Sequence, residues 1–146
     1  AEAIIGTSGA TLQHGGDRAF YRPTADAIQL PPREAFATAA GYYDTALHVL
    51  THWTGHRSRL DRQLANRFGS EQYAAEELIA ELGSAYICAA VGIEHTSQHA
   101  AYIAAWLRIL KADKRAIFTA ASAAQKAADY IAQFDPLNTA TVREAA

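Results

Sequence analysis

Leu47-His48-Val49-Leu50-Thr51-His52-Trp53-Thr54-Gly55-His56 is the stretch on which the reading of this chain turns. On a helix, His48 and His52 lie four residues apart and point the same way, so two imidazoles can close on one metal ion. That is half of a zinc site. A hydrolytic His-Glu-x-x-His helix also carries a glutamate directly after the first histidine, where it takes a proton from the attacking water. Val49 stands at that position. The stretch therefore predicts a metal-binding scaffold whose usual general base is missing. Six histidines among 146 residues would give about a quarter of one such pair by chance. The chain has three, His48/His52, His52/His56 and His95/His99. The alternative is histidines at helix ends or satisfied within a core, and a third ligand has to decide.

Around the pair, Phe36, Ala39, Tyr43, Leu47 and Leu50 predict a helix over 33–54 with one buried face. Asp44, His48 and His52 form a separate polar line at steps of four, and Gly55 is a natural stop that puts His56 outside. Arg57, Arg59, Arg62 and Arg67 then stand against Asp61, as a solvated turn or a phosphate-binding patch. A second helix over 71–91 is capped by Ser70 and closed by Gly92, with an apolar face through Ala75, Leu78, Leu82, Tyr86 and Ala89. Glu77 and Glu81 share another side with Ser84 and Cys88. Glu76 is rotated by about 100° and is expected to point elsewhere. Acids in so apolar a helix are candidate functional carboxylates, against the alternative of solvated surface.

Before the histidine helix, residues 1–5 read as the last turn of a helix closed by Gly6. Residues 10–14, 19–22 and 27–30 read as a small antiparallel meander, ended by Pro31-Pro32. After Gly92, Thr96 or Ser97 can cap a helix over 98–111, and Asp113 a continuation over 114–134 with Ile117, Ala121, Ala124, Ala128 and Ile131 on one stripe. The expectation is one α+β domain over 1–135 and a tail over 136–146. Half the residues are apolar and 19% charged, which suits a packed domain. No apolar run reaches the roughly 20 residues that span a bilayer, so no membrane partner and a cytoplasmic setting are expected. The single Cys88 excludes an internal disulfide and a multi-cysteine zinc site, which leaves histidines and carboxylates as ligands. A net charge of -2 argues against broad nucleic-acid binding. The absence of methionine and the opening Ala1-Glu2-Ala3-Ile4-Ile5 suggest a piece of a longer protein.

Further blocks join the histidine stretch: Ser58-Arg59-Leu60-Asp61-Arg62, Phe68-Gly69 and Tyr73-Ala74-x-Glu76-Glu77-Leu78-x-Ala80-Glu81-Leu82-Gly83. Ala19-Phe20-Tyr21-x-Pro23-x-x-Asp26-x-Ile28-x-Leu30-Pro31 precedes them, and Ala101-Tyr102-Ile103-x-x-Trp106-Leu107 and Asp113-Lys114-Arg115-Ala116-Ile117 follow. With these in view, the chain resembles the zincin-like metallopeptidase domain of ArdC-type antirestriction proteins and TraC-type plasmid primases, also called the polyvalent-protein metallopeptidase domain. The resemblance implies a zincin-like α+β fold and one zinc or other divalent ion on His48, His52 and Glu77. Glu77 comes from matching Glu-x-x-Ala-Glu to residues 77–81. Glu81 would then be an outer acceptor for a ligand imidazole, with Asp44 as another. The family's catalytic glutamate falls on Val49, which implies impaired catalysis, since only Glu76 or Glu81 could stand in. The implied partner is a protein or peptide in the cleft. Single-stranded DNA would be bound through a domain missing from this fragment, and any DNA contact here would use Arg57, Arg59, Arg62 and Arg67. The alternative is a non-enzymatic interaction module that keeps the fold.

Overall fold

A computed structural model describes residues 1–62, 64, 70–96 and 103–137. Arg67, His99, the expected helix start at Gln98 and residues 138–146 of the expected tail lie outside them. The elements are α1 (Glu2–Thr7), β1 (Thr11–His14), β2 (Phe20–Arg22), β3 (Ala27–Leu30), a 3-10 turn (Arg33–Ala35), α2 (Ala39–Thr54), α3 (Glu71–Val91), α4 (Ile103–Ala112) and α5 (Ala116–Ala132). No helix among the described residues is long and apolar enough to cross a membrane.

The sheet departs from the expected meander. Its order is β1-β3-β2, with β1 parallel to β3 and β2 antiparallel to it. Burial explains the order: Ala27, Ile28 and Leu30 of β3 are all within 3% of full burial, whereas Phe20 and Arg22 of β2 are exposed. The most apolar strand takes the centre, where both faces and both edges are covered. Gly15 and Gly16, at φ of 151° and 64°, let the chain cross the end of β3. There Gly15 N–H donates to Leu30 O at 2.9 Å and Gln29 Nε2 donates to Gly15 O at 2.7 Å.

Helix α2 begins later than the apolar pattern suggests. Thr38 caps it by accepting from Gly41 N–H at 3.0 Å, and the residues after Pro32 make only a 3-10 turn. Helix α1 runs on through Gly6 to Thr7. Helix α3 keeps its expected ends: Ser70 accepts from Tyr73 N–H at 3.1 Å, and Gly92 turns left-handed at φ 70°. Its buried side is not the predicted stripe. Ala89 is exposed and Leu82 half-buried, while Glu76, Glu77, Glu81, Ser84 and Cys88 are buried. The helix has turned its acids inward because α2 brings histidines to meet them.

Ile4, Ile28, Leu30, Leu47, Leu50, Trp53, Ile87 and Ile131 build one core between sheet and helices. Where α2 crosses α3, a Cβ on Gly83 would come within 2.6 Å of Thr51 Cγ2. That glycine lets the two backbones approach closely enough for carboxylate and imidazole to meet. Ala120, Ala124, Ala127 and Ala128 give α5 a small-residue face of the same use where it packs against α3 and α2.

Candidate metal centre

One turn of α2 separates His48 from His52, and their rings stand 5.0 Å apart, nearly perpendicular. Glu77 rises from α3 to face both. His48 Nε2 is 3.6 Å from Glu77 Oε2, and His52 Nε2 is 3.6 Å from Glu77 Oε1. Those separations are long for hydrogen bonds, whose usual range is about 2.7–3.2 Å. Each is near the spacing of two donors on one ion, about 3.3–3.6 Å for metal–ligand lengths of about 2.0–2.2 Å, with one histidine facing each carboxylate oxygen. One nitrogen of each histidine and one carboxylate oxygen lie within 4.8 Å of one another. The donor set therefore fits one divalent ion, with hard and borderline ligands suited to zinc or manganese.

The outward nitrogen of His52 is braced. His52 Nδ1 meets Glu76 Oε1 at 3.1 Å, and Arg62 grips the same carboxylate through Nε at 3.0 Å and NH2 at 2.9 Å. The guanidinium also donates to Thr51 O at 2.7 Å and Thr54 Oγ1 at 2.8 Å. Glu76 was expected to point away, and here the structure corrects the sequence. Glu76 and Glu77 do diverge on their helix, but the two nitrogens of one imidazole diverge as well, so His52 reaches both acids. Glu81 lies 3.5 Å from His48 Nδ1, the place expected of an outer acceptor. A carboxylate so placed favours the tautomer that leaves Nε2 free to act as a donor.

Asp44 serves a different histidine from the two expected. It accepts from His95 Nδ1 at 2.7 Å, Thr96 N–H at 2.9 Å and Ser84 Oγ at 3.1 Å. His95 Nε2 in turn is 3.4 Å from Glu81 Oε1. Sequence reasoning noticed His95 only as half of a spacing pair. The better signal was Gly92, whose left-handed turn folds the following residues back over the cleft.

Val49 is 2% exposed and belongs to both the cleft wall and the core. No ionisable atom stands at that position. The expected basic patch largely dissolves. Arg59 pairs with Asp26, donates to Trp53 O at 2.7 Å and lies over the Trp53 ring at 3.9 Å. Arg62 belongs to the metal centre, Arg57 is exposed, and Arg67 is outside the described residues. The Arg59 hydrogen bond holds Asp26 down to about 2 despite its burial.

Electrostatics follow the same contacts. Burial by itself favours neutral His48, but Glu77 and Glu81 outweigh it and raise its pKa to about 9. Burial likewise pushes Glu77 up, yet His48, His52 and Tyr73 hold it down at about 2. Burial would also raise Glu76, and His52 and Arg62 lower it instead. Protons and metal ions compete for these donors. The surrounding cleft, about 400 Å³, is walled on one side by Ala19, Phe20 and Tyr21 and on the other by the histidines and acids.

A family model described as a zincin-like metallopeptidase matches residues 1–123. A protein named DNA primase TraC from Escherichia coli is 53% identical over 137 residues, which are 92% of this chain and 13% of that protein. A crystal structure titled antirestriction ArdC protein from R388 plasmid, Mn(II)-bound, superposes with a TM-score of 0.84 at 48% identity, covering 91% of this chain and 51% of that one. The metal-free structure of the same protein gives 0.81. The chain thus spans about half of the solved relative and a small part of the primase.

Proposed function

The chain belongs to the zincin-like metallopeptidase family, and from that premise we propose that its cleft holds one divalent ion, zinc or manganese, on His48, His52 and Glu77, and that Val49 leaves it poor at hydrolysis. The observation that carries this is the convergence of His48 Nε2 and His52 Nε2 on one carboxylate at 3.6 Å each, with Glu76 and Glu81 behind the imidazoles. A bound ion would supply Lewis-acid polarisation and a more acidic water. The residues do the rest. Glu76 holds the His52 tautomer, Glu81 sets a negative charge beside His48, Arg62 holds Glu76, and the buried α2–α3 contact keeps bulk water from the outward nitrogens. Val49, at the place the family's base occupies, cannot take a proton, and general-base help is typically worth about 10² to 10⁴ in rate.

The occupant of the cleft is a polypeptide. Among the described residues, strand β2 pairs with β3 on one edge only, and its Phe20 and Tyr21 form part of the cleft wall. Its open edge can take an extended segment through main-chain hydrogen bonds. By likeness to the antirestriction protein and the primase, the domain would serve a cytoplasmic, plasmid-linked protein. Val49, apolar and buried, favours as a second reading an interaction module that holds a protein without cutting it.

The test is zinc- or manganese-dependent cleavage of casein by the wild-type chain, Val49→Glu, and Val49→Glu with His52→Ala, each checked by thermal melt because an acid enters a buried position. Activity appearing in Val49→Glu and vanishing with His52→Ala is expected. Equal activity in the wild type would show that another residue serves as base. A folded, metal-loaded Val49→Glu that cuts nothing would favour the interaction module.

A further inference from the structure

Ser84 and Cys88, four residues apart, put a hydroxyl and a thiol on one side of α3. Asp44 reaches them from α2, and the left-handed turn at Gly92 returns His95 to the same place. One donor atom from each of Asp44, Cys88 and His95 lies within 4.8 Å of the other two. None of the three belongs to the His48, His52 and Glu77 donor set.

Hydrogen bonding alone fits this group poorly. Asp44 Oδ1 meets His95 Nδ1 at 2.7 Å, Ser84 Oγ at 3.1 Å and Cys88 Sγ at 3.6 Å. Three donors thus crowd one carboxylate oxygen, which has lone pairs for about two. Thr96 N–H holds the other oxygen, Oδ2, at 2.9 Å, so Oδ1 stays turned toward the imidazole and the thiol. Oxygen, nitrogen and sulfur donors on one zinc ion stand about 3.3–3.6 Å apart. The Oδ1–Sγ pair is already at that spacing. His95, outside any helix, has to draw back by about half an ångström to join it. Its far nitrogen, Nε2, is 3.4 Å from Glu81 Oε1. A carboxylate on the second nitrogen is the usual support of a metal-ligating histidine. Asp44 and His95 also line the cleft, which gives an ion its way in to the fully buried Cys88.

We propose that Asp44, Cys88 and His95 form a second cation site, for a thiophilic divalent ion such as zinc, cobalt or cadmium, with Ser84 Oγ or a water as fourth ligand. The sulfur discriminates against manganese, a harder ion that the His48, His52 and Glu77 donors accept. Burial and Asp44 push the thiol up to about 11 in the metal-free chain, so the incoming ion displaces the Cys88 proton to solvent. Glu81 would stand behind both ions, with Oε2 3.5 Å from His48 Nδ1 and Oε1 toward His95. The second site draws no ligand from the first and does not rest on the metal reading above.

Cobalt(II) titration of the whole, chelator-stripped chain tests it through the thiolate-to-cobalt charge-transfer absorption in the near ultraviolet. The band should appear in the wild type and in His48→Ala, and be lost in Cys88→Ser and His95→Ala, each shown to be folded by thermal melt. Equilibrium dialysis should load two zinc ions on the wild type, one on His95→Ala and one on His48→Ala, against at most one manganese on any of them. A folded wild type without the band at saturating cobalt overturns the proposal. So does a band that His95→Ala leaves unchanged, or one that a folded His48→Ala loses, since the thiol would then report the first centre. A single zinc ion that survives His95→Ala and is lost with His48→Ala also overturns it. The reverse pattern, one zinc ion lost with His95→Ala alone, supports this site and sinks the metal reading instead.

Discussion

Glu76 sets how His52 presents its nitrogen, and Arg62 sets Glu76. Replacing the carboxylate by an amide keeps the shape but removes the charge, and it leaves the Arg62 guanidinium without its ion-pair partner. Glu76→Gln is therefore expected to lower metal affinity by about 10- to 100-fold, as loss of an outer partner typically does. Metal content after equilibrium dialysis checks it, and unchanged loading would return Glu76 to the bystander its helical position suggests. His48 gives a pH signature. Its pKa rises from 6.5 unfolded to about 9 folded, so the protonated imidazole stabilises the metal-free chain fully below pH 6.5. That contribution is lost as pH climbs through about 9. Glu77 works in the other direction, stabilising above its ordinary value of 4.5 and losing that as pH falls through about 2. Thermal melts between pH 6 and 10 should thus fall for chelator-treated protein. With added metal the trend should reverse, because the deprotonated donors bind the ion.

Among the elements, the α2–α3 contact carries the site. Gly83→Ala places a methyl within 2.6 Å of Thr51 Cγ2, which is far inside contact distance. The helices must part, at a cost of about 1–3 kcal/mol in stability. The same movement draws Glu77 off the histidines, so metal affinity should fall with it. Adding Thr51→Ser removes the clashing methyl and should restore both, in chemical denaturation and in metal titration alike. Failure of that rescue would mean that Gly83 matters for some reason other than this approach.

For the molecule as a whole, two long connections hold sheet, helices and cleft in one arrangement. Arg59 ties the turn after α2 to Asp26 between β2 and β3, stacked on Trp53 in the core. Arg59→Ala should cost about 1–2 kcal/mol, by taking the donor from Trp53 O and from the partly exposed Asp26 and by removing the guanidinium packed on the indole. Chemical denaturation checks it, and an unchanged midpoint would mean that this tie is not needed to hold the turn against the sheet. The proposed metal would be the second connection, joining α2 to α3 through His48, His52 and Glu77. At a free concentration about 100 times its dissociation constant it should add about 2.7 kcal/mol. Chelation should remove that increment and lower the melting temperature, whereas an unmoved melt would argue against a site built across the two helices.

What the sequence determined by itself was whatever depends on near neighbours. Thr38 aside, the main helices, the Ser70 cap, the Gly92 stop, the four-residue step from His48 to His52 and the valine between them were all legible, because capping and helical periodicity act within a turn. The family blocks added Glu77 and Glu81. The tertiary structure alone decided which partner faces each of these groups. Glu76 meets His52 from 24 residues away and Asp44 meets His95 from 51. Periodicity says which residues share a side of a helix, not what lies opposite that side. The same limit hid the sheet order, since strand sequence favours a meander and only burial of β3 moves it to the centre. It hid the arginines too: a basic run reads as solvated until Asp26, Trp53 and Glu76 are brought to it by the packing of the chain.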